Sequence, residues 1–144
     1  MKLFTRAHQL PGRLAAGAVI LNSGMGKVNA DEAAAAGVHG MATTAYPFLG
    51  KLDPQQFTRL LSRAEIALGT ALLLPVVPSL LAGAALTGFA GGLVGLYLRT
   101  PGLRREGSLR PTPQGIPLVK DIWLLAIGLG LVLEELADRE ADQY

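Results

Sequence analysis

From Ile66 to Leu98 the chain carries no charged side chain. At 1.5 Å per residue, one helix of that length would run about 50 Å, well past a hydrocarbon core of about 30 Å. Pro75 and Pro78 fall inside the run, and proline removes a backbone donor and moves the preceding residue out of helical conformation. The pattern therefore predicts two helices joined by a tight turn near Pro75–Ser79. The second, Leu80 to Leu98, is uncharged over the length of a bilayer crossing and ends at Arg99. A helix apolar on every face suits lipid better than the outside of a small soluble bundle.

Two further apolar stretches flank this hairpin. Leu14–Val28 reads LAAGAVILNSGMGKV, and Ile116–Leu133 reads IPLVKDIWLLAIGLGLVL. Prolines at 111, 113 and 117 make the segment before the last stretch a loop. The whole predicts one all-α domain over residues 1–144, an integral membrane four-helix bundle with spans near 12–29, 57–76, 79–98 and 116–134. Gly-x-x-x-Gly occurs at Gly88–Gly92 and Gly91–Gly95, and Gly128 and Gly130 recur in the last span; small residues of this kind let helices approach closely in lipid. The basic start and apolar Leu14–Leu21 stretch invite comparison with a signal peptide, but Lys27 stands where small residues would be needed for cleavage. A retained first span is expected. Asp31, Glu32 and the alanines after them read as a solvated loop or short interfacial helix. Tyr46, Phe48 and Phe57 read as interface anchors, and Tyr97 and Trp123 as an aromatic belt.

Composition agrees with lipid as the solvent. Half of the 144 residues are apolar, 17% are charged and mean hydropathy is +0.37, where a soluble domain carries about 25% charged residues. This excludes a charged disordered tail and argues against nucleic acid as a partner. With no cysteine, the chain alone builds no disulfide framework, zinc cluster, iron–sulfur centre or thiol nucleophile. No Ser/His/Asp arrangement, phosphate loop or metal-ligand spacing is present, so neither metal nor catalytic residue is assigned. His8 and His39 fall at opposite ends of the first span and cannot jointly ligate a haem iron.

The position of the charges is more informative than their sum. Four spans put both termini on one side, with Lys2, Arg6, Arg13 and Arg139. The loop side receives Lys27, Lys51, Arg59, Arg63, Arg99, Arg104, Arg105, Arg110 and Lys120. The positive-inside rule then places the loops in the cytoplasm and the termini outside. The Ala, Gly, Leu and Arg bias of the chain points to a GC-rich bacterium, so the membrane expected is the bacterial inner one. Some charges also lie deep. Counted back from the Pro75–Pro78 turn, Glu65 is about 15–20 Å from the terminus-side face, near the midplane. Lys27, Arg63, Glu65, Lys120 and Asp121 enter the same half of the bundle from three helices. Each would cost at least about 2.5–3.5 kcal/mol facing lipid alone, so the expectation is an inward-facing polar cluster in which Glu65 and Asp121 pair with Lys27, Arg63 or Lys120. Snorkelling to the interface would accommodate the long basic chains, but not the shorter Glu65.

The stretches RLAAGAVILNSGMGKV, RAEIALGTALLLP and PLVKDIWLLAIGLGLVL together resemble, in order and spacing, the DoxX-like family of small four-helix prokaryotic membrane proteins. The resemblance implies association with membrane redox complexes, and it matches Lys27, Glu65 and Lys120 to the family's polar motif positions. Its members differ in function, so it carries a fold further than an activity. The expected function is a non-catalytic accessory subunit of a membrane redox or stress-response complex, docked to protein partner subunits through the basic loop at Arg99–Arg110. The alternatives are a small transporter or proton-linked carrier using Glu65, and a quinone-interacting oxidoreductase subunit. No cofactor is assigned, a quinone or lipid being the candidate ligands.

Overall fold

The local sequence accounts for where most of the helices begin. In the computed structural model, which describes residues 6–143, α1 spans Leu10–Gly26 and carries Pro11 in its first turn, where the missing donor costs nothing. Lys2, counted above with the terminus-side charges, lies outside the described residues. Helix α2, Glu32–Ala45, is capped by Asp31, which accepts from the Ala34 amide at 2.8 Å. Helix α3, Pro54–Leu73, is capped by Asp53, which accepts from the amides of Gln55 and Gln56 at 3.1 and 3.2 Å. Helix α4, Ser79–Arg99, follows the expected proline turn. The short α5, Ile116–Val119, and the long α6, Ile122–Ala141, complete the chain. Every regular element among the described residues is helical apart from one isolated bridge, Arg104 with Pro111.

One alternative is decided and one expectation changes. Of the loop or short helix expected after Asp31, the chain forms the helix, α2, and extends it to 14 residues, because Asp31 supplies an N-cap to an alanine-rich run. The last stretch is broken at Lys120–Asp121 into α5 and α6, so the long helix runs past Leu133 to Ala141. Ser79–Arg99 and Ile116–Ala141 are each long and apolar enough to cross a membrane. Helix α1 has only 17 residues, and the first half of α3 carries Arg59 and Arg63.

The long helices pack as two close pairs, α1 with α3 and α4 with α6. Glycine permits both approaches. A Cβ on Gly69 would lie 2.7 Å from the Leu21 amide nitrogen and 2.9 Å from the Gly17 carbonyl oxygen; one on Gly128 would lie 2.8 Å from the Thr87 nitrogen and 3.2 Å from the Gly83 carbonyl. Backbone meets backbone at these points, so no side chain fits. The Gly-x-x-x-Gly positions of α4 do not make these contacts: Gly88, Gly91 and Gly92 have nothing within 4 Å of where a Cβ would stand, and Gly95 faces the Tyr46 hydroxyl. Spacing determines which glycines share a face, whereas packing determines which face turns inward. A core of Ala16, Ile20, Leu68, Leu72, Ala82, Leu86 and Leu131 joins the two pairs.

One end of the bundle gathers the start of α1, the turn between α3 and α4, and the end of α6. Ser79 donates to the Gln9 amide oxygen at 2.8 Å, and the Gln9 amide nitrogen donates to Glu134 and Glu135, each at 3.1 Å. Arg6 pairs with Glu134 at 3.1 Å and also meets Asp138, while His8 contacts Glu134. The opposite end holds α2, the 100–115 loop and α5. That loop turns through Gly102 and Gly107, at φ +88° and +68°. It is tied by Thr112 N to Leu103 O at 3.0 Å and by the Tyr97 hydroxyl to Leu109 O at 2.7 Å.

Candidate functional site

Near the α2 end, the turn Lys27 leaves α1 directly opposite Glu65 of α3. The Lys27 ammonium lies 3.0 and 3.2 Å from the two Glu65 carboxylate oxygens. It also donates to the Ser23 hydroxyl at 2.5 Å and the Ser23 carbonyl at 3.3 Å. Glu65 is only 2% exposed. One turn earlier on α3, buried Ser62 donates to the Gly24 carbonyl at 2.7 Å, which satisfies an acceptor at the end of α1. A Cβ at Gly24 would lie 2.9 Å from the backbone nitrogen of Ile66. Glycine thus brings α1 close enough for Lys27 and Glu65 to meet.

The pair borders a cavity of about 590 Å³ between the two helix pairs, with α2 and α5 also contributing to its wall. The walls are mainly apolar, from Ile20 and Val38 to Phe89 and Leu93. Asp121, at the N-cap of α6, is the third charged residue of the lining beside Lys27 and Glu65. Its side chain is half-buried and has no hydrogen-bond or ion-pair partner among the described residues. The volume lies within the range of small-molecule sites, about 300–1,000 Å³, and the lining has their usual make-up: apolar walls with few polar groups.

The five-residue cluster expected from sequence is therefore divided. Lys27, Glu65 and Asp121 share the cavity, whereas Arg63 and Lys120 are exposed and absent from its lining. Helical phase separates Arg63 from Glu65: two residues is about 200° around the axis, so the two side chains leave on opposite sides. Aromatic roles change as well. Tyr46 and Phe57 line the cavity, and the Tyr46 hydroxyl donates to the Gly92 carbonyl at 2.7 Å. Tyr97, expected in an outer belt, is buried against the 100–115 loop, while Trp123 is 68% exposed. Gly88 and Gly92 leave space that a larger side chain would fill.

Arg13 has a role that its sequence position did not reveal. It is fully buried. Its guanidinium donates to the carbonyls of Leu72, Ala71, Leu74 and Val77 at 2.9, 2.7, 3.0 and 2.9 Å, and to the Ser79 hydroxyl at 3.0 Å. A helix leaves its last carbonyls without intrahelical donors. The prolines at 75 and 78 supply no N–H, so the turn draws its donors from another helix. Arginine offers five in a planar fork. A proline-bounded turn between two apolar helices was the available signal. Compared with family models, curated proteins and solved structures, the chain has no match.

Proposed function

We propose that this chain is a four-span membrane protein that holds a small amphiphilic molecule in its interhelical cavity, as a carrier or membrane-embedded binding protein. The observation that carries this reading is the cavity of about 590 Å³, walled by apolar side chains and bordered by the Lys27–Glu65 pair. Its support for a membrane setting comes from the two long apolar stretches, α4 at Ser79–Arg99 and α5 with α6 at Ile116–Ala141, and from the exposure of Leu81, Trp123, Leu129 and Leu133 on them. Water gives such residues no reason to face outward, whereas lipid does. Glu65 then acts chiefly as a clamp between α1 and α3, since both of its oxygens are engaged by Lys27. A neutral benzophenone photoprobe tests the proposal on the full chain in a mild non-ionic detergent. Cross-links should map to Met41 and Phe89 and disappear in Gly88→Phe, which fills the space. Labelling confined to outer residues such as Leu133 would overturn it.

A second reading keeps the chain as a non-catalytic subunit of a larger membrane complex. The internally bonded 100–115 loop supports it, because it presents exposed Arg105, Leu109 and Arg110 on a preformed turn. Purification in mild detergent separates the readings: stoichiometric partners favour the subunit, and a lone chain that still takes the photoprobe favours the carrier.

A further inference from the structure

Resting on that cavity-binding reading, we infer that the cavity selects organic cations, with the Asp121 carboxylate as the group that receives the positive charge. The charged residues of the lining are Lys27, Glu65 and Asp121, which leave a net charge of one negative when ionised. The Lys27 charge is already used, since its ammonium is held by both Glu65 oxygens and by Ser23. Asp121 has no such partner among the described residues, so a ligand cation would complete it. A half-buried carboxylate beside apolar walls gains most from an opposite charge that arrives with its own apolar surface. A ligand anion would meet Asp121, and among the described residues Lys27 is the one basic side chain in the lining, already engaged by Glu65. Arg63 and Lys120 are exposed and outside it, and Arg99 stands outside it against the Tyr46 ring.

The rings in the wall favour the same class. Phe57 and Phe89 place aromatic rings in the wall, and the face of such a ring attracts organic cations and repels anions. Tyr46 already carries a cation, since the Arg99 guanidinium lies 5.3 Å from its ring centroid. The ligand class is thus a lipophilic amine, quaternary ammonium or phosphonium ion with apolar substituents.

Competition against the neutral benzophenone probe tests the charge preference. Tetraphenylphosphonium and tetraphenylborate have the same shape and opposite charge. On the wild-type chain the cation should block labelling of Phe89 at a concentration at least about tenfold lower than the anion. Asp121→Asn should keep the neutral labelling, which reports an intact cavity, and should weaken the cation about tenfold. Glu140→Gln, an exposed change away from the cavity, should leave all three probes unaltered. Equal competition by the two ions on the wild-type chain, or undiminished cation binding in Asp121→Asn, would overturn the cation assignment while leaving the cavity reading intact. Absence of benzophenone labelling in the wild-type cavity would overturn both. The wild-type comparison decides the matter even where Asp121→Asn fails to fold.

Discussion

Buried charge holds the bundle at both ends, through Arg13 at one and the Lys27–Glu65 pair at the other, and the three residues are expected to respond differently to substitution. Arg13 gathers four carbonyls and a hydroxyl at the α3–α4 turn. Leaving a buried acceptor unpaired costs about 1–3 kcal/mol. Arg13→Met should therefore destabilise the protein by at least about 3 kcal/mol. Arg13→Lys should recover only part of that loss, because one ammonium cannot reach acceptors spread around a fork. Thermal unfolding followed by circular dichroism in detergent checks the order wild type, Lys, Met. At the other end, Lys27→Met strands the buried Glu65 carboxylate, a loss of about 3–5 kcal/mol for a broken buried pair. Glu65→Gln should be milder, since the amide oxygen still accepts from Lys27 and the shape is kept. The double change Lys27→Met with Glu65→Leu should be more stable than Lys27→Met alone; additive losses would show that the two side chains do not interact.

The helix pairs depend on glycines that lie outside the most conspicuous motif. Gly69→Val and Gly128→Val should each separate a pair and lower the midpoint of unfolding sharply, because the added atoms meet the backbone of Leu21 or Thr87. Gly91→Ala should leave the midpoint unchanged or raise it, since that position is open and alanine is the better helix former by about 0.5–1 kcal/mol. If Gly91→Ala proved as damaging as Gly69→Val, an unseen partner would have to be packed on that face of α4.

For the whole molecule, the charges at the two ends have different fates. At the terminus end Arg13 is buried among carbonyls, and Arg6 is matched by Glu134 and Asp138. At the loop end Lys51, Arg59, Arg63, Arg105, Arg110 and Lys120 are exposed. Exposed basic residues therefore outnumber the exposed acidic ones, Asp31, Glu32, Asp53 and Glu106, at the loop end, and under the four-span proposal the positive-inside rule would keep that end in the cytoplasm. A C-terminal alkaline phosphatase fusion should be active and a C-terminal green fluorescent fusion dark. The opposite pair of results would invert the orientation without altering the fold.

The sequence by itself determined the helical class, the proline turn at 75–78 and the choice of Glu65 as a charge that must face inward. Each follows from a local rule: an uncharged run, a missing N–H, a side chain too short to escape. The Lys27–Glu65 contact was within reach because both residues lie the same distance along their spans. Depth, however, is only one coordinate. Rotation of each helix about its axis decided the rest, and it depends on contacts between residues far apart in the chain. That rotation turned Arg63 outward while Glu65 faced in, opened Gly88 and Gly92 to a cavity and set Gly17 against Gly69. It also carried Arg13 to carbonyls some sixty positions away. Tertiary structure alone left Asp121 facing a space with no ion-pair partner among the described residues, because only the packed helices define both the space and which side chains enter it.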